Sequence, residues 1–253
     1  MVQTTFFAPD SVPLIAPGQP LAPVIVESFS DAGIDLADND ILVVAQKIVS
    51  KSENRYRRLA SITPGEEARD FAARCQKDPR FIQAVLDETE RVIRCSPGVF
   101  IVRHRRGYCL ANAGIDQSNI DPVDDDVVLL LPEDPDASAR QLRSEIRQLA
   151  GADVGIVISD SFGRPWRLGT TGVCIGCAGV LPIHDQRGQK DLYGRTLQVT
   201  QPAIGDEIAA AASLVMGEAN EGRPLALLRG LSVIPGNPPA TELIRASNED
   251  LFR

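Results

Sequence analysis

Acidic, hydroxyl and basic side chains come together at one point of the sequence, directly after a short apolar run. Gly155 to Ser159 is rich in β-branched residues, which predicts a buried strand that stops at Asp160 and Ser161. Arg164 and Arg167 follow shortly afterwards, among residues that break regular structure. Carboxylate and hydroxyl oxygens suit hard cations, and guanidinium groups suit the phosphates that such cations neutralise. An Asp-initiated turn with a solvated basic loop explains the same residues, so this stretch alone leaves both interpretations open.

Two further acids follow apolar segments elsewhere in the chain. Asp116 is expected in a polar turn after the apolar stretch that begins at Tyr108, and Glu218 in a glycine-bounded acidic loop after a helix. Mg²⁺ and Mn²⁺ prefer carboxylate and hydroxyl oxygens and are commonly bound together with phosphates. The three acids and Ser161 are enough for a two-metal arrangement, provided that the fold brings them together.

Two lysines follow another apolar run. Asp40 to Gln46 predicts a strong buried strand, and Lys47 and Lys51 come where that strand is expected to end. Lysine ammonium groups at this position can act as point charges that hold phosphate. A solvated strand tip explains them as well, and the sequence leaves this alternative open.

The absence of familiar motifs narrows the possible chemistry. The sequence has no G-x-x-x-x-G-K-[ST] and no G-x-G-x-x-G, which argues against a P-loop protein and a Rossmann-type dinucleotide-binding protein. It also has no G-x-S-x-G, the nucleophile-elbow motif of α/β-hydrolases. The two histidines are too few for a histidine-based metal site. His104 lies in a basic run and is expected to be exposed, and for His184 a structural or surface role is favoured over proton transfer.

The composition of the 253 residues, 43% hydrophobic and 24% charged, is that of an ordinary globular protein. A net charge of −8 argues against broad nucleic-acid binding but allows a local basic pocket. No apolar run approaches the ~20 residues that span a bilayer, and no signal peptide is recognised, so a cytoplasmic location is expected. Cys174 and Cys177 lie among small apolar residues, which predicts a buried segment with free thiols rather than a zinc or redox site.

Predicted helices and strands interleave irregularly, which favours an α+β or mixed α/β fold without a clear linker. Helices are predicted for Leu21 to Phe29, for Thr63 to about Arg94 with a break near Pro79, for Ala137 to Ala150 and for Ile204 to Met216. Further strands are predicted for Val99 to Arg103, Val127 to Leu131 and Leu225 to Leu228.

Eight stretches of the sequence match one known family, in one order and over nearly the whole chain. They are VPLI, VVAQKIVSKSE, CLANAGIDQSN, LLLPEDPDASAR, VISDSFGRPWRLG, KDLYGR, VTQPAIGDEIAAAASLVMGE and LLRG. On these motifs the chain resembles the coenzyme F-420-0:L-glutamate ligase family, also called F-420 gamma-glutamyl ligase. The resemblance implies one unit over residues 1–253, a two-lobed α+β subunit in an intertwined homodimer, with no C-terminal fusion domain.

The resemblance also implies a reaction. GTP drives ligation of L-glutamate to the phospholactyl carboxylate of F-420-0 through an acyl phosphate, which gives F-420-1 or longer γ-glutamyl tails. Two divalent cations, Mg²⁺ or Mn²⁺, and a monovalent cation such as K⁺ are implied as cofactors. A metal-dependent phosphohydrolase and a non-catalytic GTP-binding module remain as alternatives from other classes, because the same acids could activate water or only hold a nucleotide.

Carried onto matching positions, the resemblance implies that Asp116 and Asp160 bind the first metal and that Ser161 and Glu218 bind the second. The implied GTP pocket comprises Val12, Pro13, Leu14, Ile15, Gln46, Lys47, Lys51, Asn119, Met216, Gly217, Glu218, Ala219, Asn220, Glu221, Gly222 and Arg223. Some archaeal members have Ser-Thr at the positions of Gln46 and Lys47. We hypothesise that Lys47 and Lys51 assist phosphoryl transfer, and that Arg164 and Arg167 bind the phosphodiester of the acceptor or the incoming carboxylates.

Overall fold

A computed structural model of the chain describes residues 1–120, 126–232 and 234–250. The strands are β1 (Thr5–Phe7), β2 (Ile41–Ala45), β3 (Tyr56–Arg58), β4 (Thr89–Ser96), β5 (Val99–His104), β6 (Cys109–Ala111), β7 (Val127–Leu129), β8 (Gly155–Arg164), β9 (Arg167–Ala178) and β10 (Leu225–Arg229). The helices are α1 (Leu21–Asp31), α2 (Gln46–Ser52), α3 (Glu66–Cys75), α4 (Pro79–Asp87), α5 (Pro135–Ala150) and α6 (Ile204–Met216). This mixture of helices and largely antiparallel sheets confirms the α+β class.

The main sheet has the strand order β1-β10-β2-β8-β9. Strands β2 and β8 are parallel, with Ala45 opposite Ser159, whereas the other neighbouring pairs in this sheet are antiparallel. Parallel strands run in the same direction, so the residues that follow a matched pair lie toward the same edge of the sheet. The residues that follow Ala45 and Ser159 are therefore brought side by side, although more than a hundred residues separate them in the chain.

The two faces of this sheet are covered by different helices. Leu42, Val44 and Ile158 belong to a buried cluster that includes residues of α1 and α5. Val43 and Val157 belong to a second cluster that includes residues of α6. This assignment follows from the two-residue repeat of a strand, in which neighbouring side chains point to opposite faces.

Two glycines in β9 let helices approach the sheet closely. A Cβ at Gly172 would lie 2.4 Å from the carbonyl oxygen of Ala209 in α6, and a Cβ at Gly176 would lie 2.4 Å from the carbonyl carbon of Pro135 in α5. Any side chain at either position would overlap backbone atoms. The glycines thus fix how near α5 and α6 lie to the strand.

The segment between α2 and α5 forms a second buried core. It contains the antiparallel sheet β4-β5-β6, the pair β3-β7 and the helices α3 and α4, with Phe81, Ile82, Phe100 and Val128 buried between them. The polar turn that contains Asp116 belongs to this segment. It places Asp116 beside the main sheet. Among the described residues, no helix is long and apolar enough to cross a membrane.

Three predicted elements depart from the structure in type or by several residues. Strand β8 does not stop at Asp160 and Ser161 but continues to Arg164, because β9 pairs with it along the whole length. The lysine segment is not a strand tip but the helix α2, which begins at Gln46 directly after β2. The helix predicted to reach about Arg94 ends at Asp87 and is followed by β4, in which Thr89 and Val92 pair with residues of β5.

His104 was predicted to be exposed, and this is also wrong. Only 3% of its surface is accessible, since it lies on the inward side of β5. Its Nδ1 accepts a hydrogen bond of 3.0 Å from the backbone of Arg106, and its Nε2 lies 3.5 Å from Oε2 of Glu88. Burial raises the pKa of Glu88, but His104, Arg105 and Arg55 outweigh that effect and lower it.

Candidate functional site

A cavity of about 590 Å³ opens where β2 ends, beside the middle of β8. Its volume lies in the ordinary range for small-molecule sites, about 300–1,000 Å³. It is lined by every residue assigned above to the metals and to the nucleotide pocket. Further lining residues that the sequence did not single out are Ala45, Ile48, Ser118, Ser159, Gly172, Ser213 and Pro224.

Asp160 and Ser161 reach this cavity from β8. The backbone N–H of Ser161 donates a 2.8 Å hydrogen bond to Oδ1 of Asp160, and the Ser161 hydroxyl donates to the carboxylate of Glu218. Burial, with the nearby carboxylates of Asp116 and Glu218, raises the pKa of Asp160 to about 7. The cavity wall therefore concentrates negative charge that a cation can neutralise.

Asp116 reaches the cavity from the second core. Its backbone forms a pair of hydrogen bonds with Leu129, of 3.0 and 2.9 Å, which ties it to the end of β7. Asn112, Ala113 and Gly114, which precede it, have φ values of 51°, 54° and 70°. Left-handed conformations in residues other than glycine cost on the order of 1 kcal/mol each and are often found beside functional sites.

Both carboxylate oxygens of Asp116 have partners. The backbone N–H and the hydroxyl of Ser118 each donate to Oδ1 at 2.8 Å, and Nζ of Lys47 lies 2.5 Å from Oδ2. Burial raises the pKa of Asp116, but the hydrogen bonds from Lys47 and Ser118 outweigh burial and lower it. Asp116 is thus held ionised and oriented.

The helix α2 places both lysines on the cavity. Lys47 and Lys51 are one helical turn apart and therefore lie on one face. Nζ of Lys51 donates a 2.8 Å hydrogen bond to the carbonyl oxygen of Asn119. Gln46 is buried, and its Oε1 accepts a 3.0 Å hydrogen bond from the hydroxyl of Ser50, which fixes its side chain beside the cavity.

The loop after α6 closes the cavity on the side of Glu218. Gly217 has φ 77° and ψ 177°, a backbone conformation available essentially to glycine alone. A Cβ at Gly217 would lie 2.3 Å from Cδ of Glu221, whose Oε2 accepts a 2.8 Å hydrogen bond from the backbone of Ala219. Asn119 donates to the carbonyl oxygen of Ala219 at 3.2 Å, which connects this loop to the turn that holds Asp116.

One part of the cavity rim is apolar. Val12, Pro13, Leu14 and Ile15 line it, in a segment that forms neither helix nor strand. Ile15 is anchored in the main core, whereas the side chain of Leu14 is 93% exposed. An exposed apolar side chain at the mouth of a polar cavity suits contact with a flat, partly apolar ligand group such as a nucleobase.

Arg164 and Arg167 do not line the cavity. They lie opposite each other at the tip of the β8–β9 hairpin, and both are exposed. A strand rises about 3.3 Å per residue, so the tip at Arg164 lies roughly 10 Å beyond Ser161. His184 is also outside the cavity lining. The structure thus groups the predicted metal and nucleotide residues and sets the two arginines apart from them.

The donor atoms in the cavity are of the chemical type that hard divalent cations prefer. Asp116, Asp160, Ser161 and Glu218 offer only carboxylate and hydroxyl oxygens, the ligands that Mg²⁺ and Mn²⁺ prefer. In the described ranges, however, no three acidic, histidine or cysteine side chains already form a cluster that could hold a metal. Lys47 holds Asp116 and Ser161 holds Glu218, so side-chain movement has to accompany metal binding.

Comparison with known proteins identifies the family. A profile described as F420-0:Gamma-glutamyl ligase matches residues 10–230. The chain is 42% identical over 246 residues to the Coenzyme F420:L-glutamate ligase of Methanothermobacter thermautotrophicus, with 96% of each chain covered. It is 43% identical over 251 residues to the protein of the same name from Methanopyrus kandleri, also with 96% of each chain covered. For the protein of that name from Methanocaldococcus jannaschii the identity is 42% over 218 residues, which covers 86% of each chain. The chain therefore belongs to the F420-0:gamma-glutamyl ligase family.

Proposed function

We propose that the protein joins L-glutamate to the phospholactyl carboxylate of F-420-0 and uses GTP as the energy source. The γ-phosphate passes to a carboxylate oxygen of the acceptor, which releases GDP and forms an acyl phosphate. The glutamate amine then attacks the acyl carbon, phosphate leaves, and an amide is formed with loss of a proton. Relatives named Coenzyme F420:L-glutamate ligase support an enzyme that forms this type of bond.

One observation carries the nucleotide part of the proposal. A single cavity combines the carboxylates of Asp116, Asp160 and Glu218 with two lysines and an apolar rim, although these residues come from five separate parts of the chain. Carboxylates that bind cations and lysines that contact phosphate are the usual components of a nucleoside triphosphate site. The apolar rim at Leu14 supplies a contact for the base.

Each group in the cavity has a role in this proposal. Asp116 and Asp160 would hold one divalent cation, and Ser161 and Glu218 the other. The bound cations would neutralise phosphate charge during transfer, and a monovalent cation such as K⁺ is part of the proposal. Lys51 supplies positive charge from α2, and the loop after α6 encloses the nucleotide.

We also propose that the protein is a homodimer of two-lobed subunits. The two lobes would correspond to the core of the main sheet and the core between α2 and α5. Large apolar side chains are exposed at the tip of the β8–β9 hairpin and at later positions in the chain, namely Trp166, Leu168, Leu192, Tyr193, Val199 and Leu214. A second copy of the chain would cover these side chains. In such a dimer, Arg164 and Arg167 would meet the acceptor's phosphodiester or the incoming carboxylates.

The experiment that tests the proposed function measures GDP release and product mass together. Purified protein is incubated with GTP, Mn²⁺ and K⁺, with and without F-420-0 and with and without L-glutamate. The proposal predicts that F-420-0 gains one glutamyl residue only when glutamate is present, with one GDP released for each residue added. Asp160→Asn should abolish both signals.

The alternatives give different results in the same experiment. GDP release that needs neither glutamate nor F-420-0 would indicate a phosphohydrolase. Binding of GTP without turnover would indicate a nucleotide-binding module. Either result would refute the ligase.

A further inference from the structure

The ammonium group of Lys47 occupies a nest of oxygens at the edge of the cavity. Its Nζ lies 2.5 Å from Oδ2 of Asp116, 3.0 Å from the carbonyl oxygen of Ser118 and 3.2 Å from the Ser118 hydroxyl. A carboxylate, a carbonyl and a hydroxyl are the kinds of oxygen that bind a hard cation. The side chain thus places a cationic group where a metal would contact Asp116.

The other partners of Asp116 cannot leave it as easily. Ser118 is two residues away on the same turn, and its backbone N–H and hydroxyl hold Oδ1. Lys47, by contrast, comes from α2 on a flexible four-carbon stem, and it holds only Oδ2. When a cation binds Asp116, Lys47 is therefore the partner that is displaced.

The second lysine on the same helix face is engaged differently. Lys51 donates to the carbonyl oxygen of Asn119, which is not among the oxygens assigned to a metal. The two lysines therefore form a matched pair. They have the same charge, lie one turn apart on α2 and line the same cavity, but in the described contacts it is Lys47 that holds Asp116.

We propose that Lys47 is the resident counterion of Asp116 in the metal-free enzyme, and that it releases Asp116 to a divalent cation when a nucleotide offers its phosphates as a new partner. This inference rests on the proposed function, since it assigns a metal to Asp116. Lys47 is a positioning residue in this step, because it acts on Asp116. No covalent bond is made or broken in the exchange.

The exchange couples metal binding to nucleotide binding. Without nucleotide, a divalent cation has to displace the Lys47 ammonium into the cavity, where it loses the partner that it had at 2.5 Å. With nucleotide, the displaced ammonium finds phosphate oxygens nearby. Any such coupling is reciprocal, so the metal also promotes nucleotide binding.

The test measures Mn²⁺ binding by electron paramagnetic resonance in the absence of nucleotide. Lys47→Met keeps much of the side-chain volume but removes the competing charge. A lost charge-assisted hydrogen bond corresponds to about a tenfold change, so Lys47→Met should bind Mn²⁺ about tenfold more tightly than the wild type. Lys51→Met, the matched control, should gain no more than about twofold. With a non-hydrolysable GTP analogue present, the advantage of Lys47→Met should disappear.

Several outcomes would overturn the inference. Unchanged or weaker Mn²⁺ binding by Lys47→Met would do so, and so would equal gains in the two variants, which would indicate only a general charge effect. If Lys47→Met does not fold, as judged by circular dichroism, Lys47→Gln provides the same test. If the wild type ligates glutamate but Lys47→Met does not bind Mn²⁺ more tightly, this inference alone is refuted. If Lys47→Met binds Mn²⁺ more tightly but the wild type does not ligate glutamate, the proposed function is refuted and the exchange of Lys47 for a cation at Asp116 stands.

Discussion

Replacing Asp160 by asparagine should make the metal-free protein more stable at alkaline pH while removing its activity. Asparagine has nearly the same shape and can still accept the hydrogen bond that Ser161 donates to Asp160. It removes the charge that burial and two neighbouring carboxylates disfavour. A substitution that improves stability at the expense of activity is the behaviour of a functional residue.

The magnitude follows from the raised pKa of Asp160. The carboxyl has a pKa of about 7 in the folded protein, compared with an ordinary value of 3.8. Full ionisation therefore costs the metal-free fold at most about 4 kcal/mol, since one pKa unit corresponds to about 1.4 kcal/mol. Because Asp160 remains partly accessible to solvent, a gain of about 2 kcal/mol for Asp160→Asn at pH 8 is the realistic expectation.

The pH dependence has a defined sign. Between pH 3.8 and about 7 the folded protein binds this proton more tightly than the unfolded chain does. The contribution of Asp160 to stability is therefore complete below pH 3.8 and is lost as the pH rises to 7. The gain in Asp160→Asn should be near 2 kcal/mol at pH 8 and close to zero near pH 4.

Urea denaturation in EDTA at several pH values measures this difference. Asp134→Asn is a control of opposite sign. Although burial raises the pKa of Asp134, hydrogen bonds from Ala137 and Arg106 outweigh burial and lower it. This control should be less stable than the wild type at pH 8 and should approach it as the pH falls. If Asp160→Asn is less stable than the wild type at pH 8 in EDTA, ionised Asp160 does not destabilise the metal-free fold and the prediction is refuted.

Two further predictions concern the loop after α6 and the apolar surface. Gly217→Ala should weaken binding of a GTP analogue by about tenfold or more in calorimetry, because its backbone conformation costs alanine on the order of 1–3 kcal/mol. Gly222→Ala is the matched control, since its φ is 68° and nothing lies within 4 Å of a new Cβ, so a smaller effect is expected. The double variant Trp166→Ser and Leu168→Ser should convert a dimer to a monomer in sedimentation, without loss of circular dichroism.

Both predictions can fail in a defined way. Equal losses of affinity in Gly217→Ala and Gly222→Ala would show that the loop contact with Glu221 has no special role. A wild-type protein that sediments as a monomer at all concentrations would remove the proposed dimer. A dimer that persists in the double variant would place the interface elsewhere.

Local sequence patterns predicted the parts of the fold that depend on local interactions. The bounds of α6, Ile204 to Met216, follow from its own sequence, and β2 follows from its apolar run. Strand β8 was predicted too short, because its outer half is polar and is held by pairing with β9. His104 was predicted wrongly because Glu88, the partner that makes its burial tolerable, lies far away in the sequence, between α4 and β4.

The grouping of the site residues could not be predicted from spacing. Lys47 and Asp160 come together through the parallel pairing of β2 and β8, and Asp116 arrives from a separate core. Neither relation leaves a periodic signal in the sequence. Ser118 was missed as well, although its position two residues after Asp116 is a common arrangement for a side chain that caps an aspartate.

The most direct test of the proposed reaction follows one oxygen atom. F-420-0 labelled with ¹⁸O in its phospholactyl carboxylate is incubated with enzyme, GTP, Mn²⁺, K⁺ and L-glutamate, and the released phosphate is analysed by mass spectrometry. If the cavity activates that carboxylate as an acyl phosphate, one ¹⁸O atom should leave with each phosphate. Phosphate that carries oxygen from water instead, with no ¹⁸O, would contradict the mechanism.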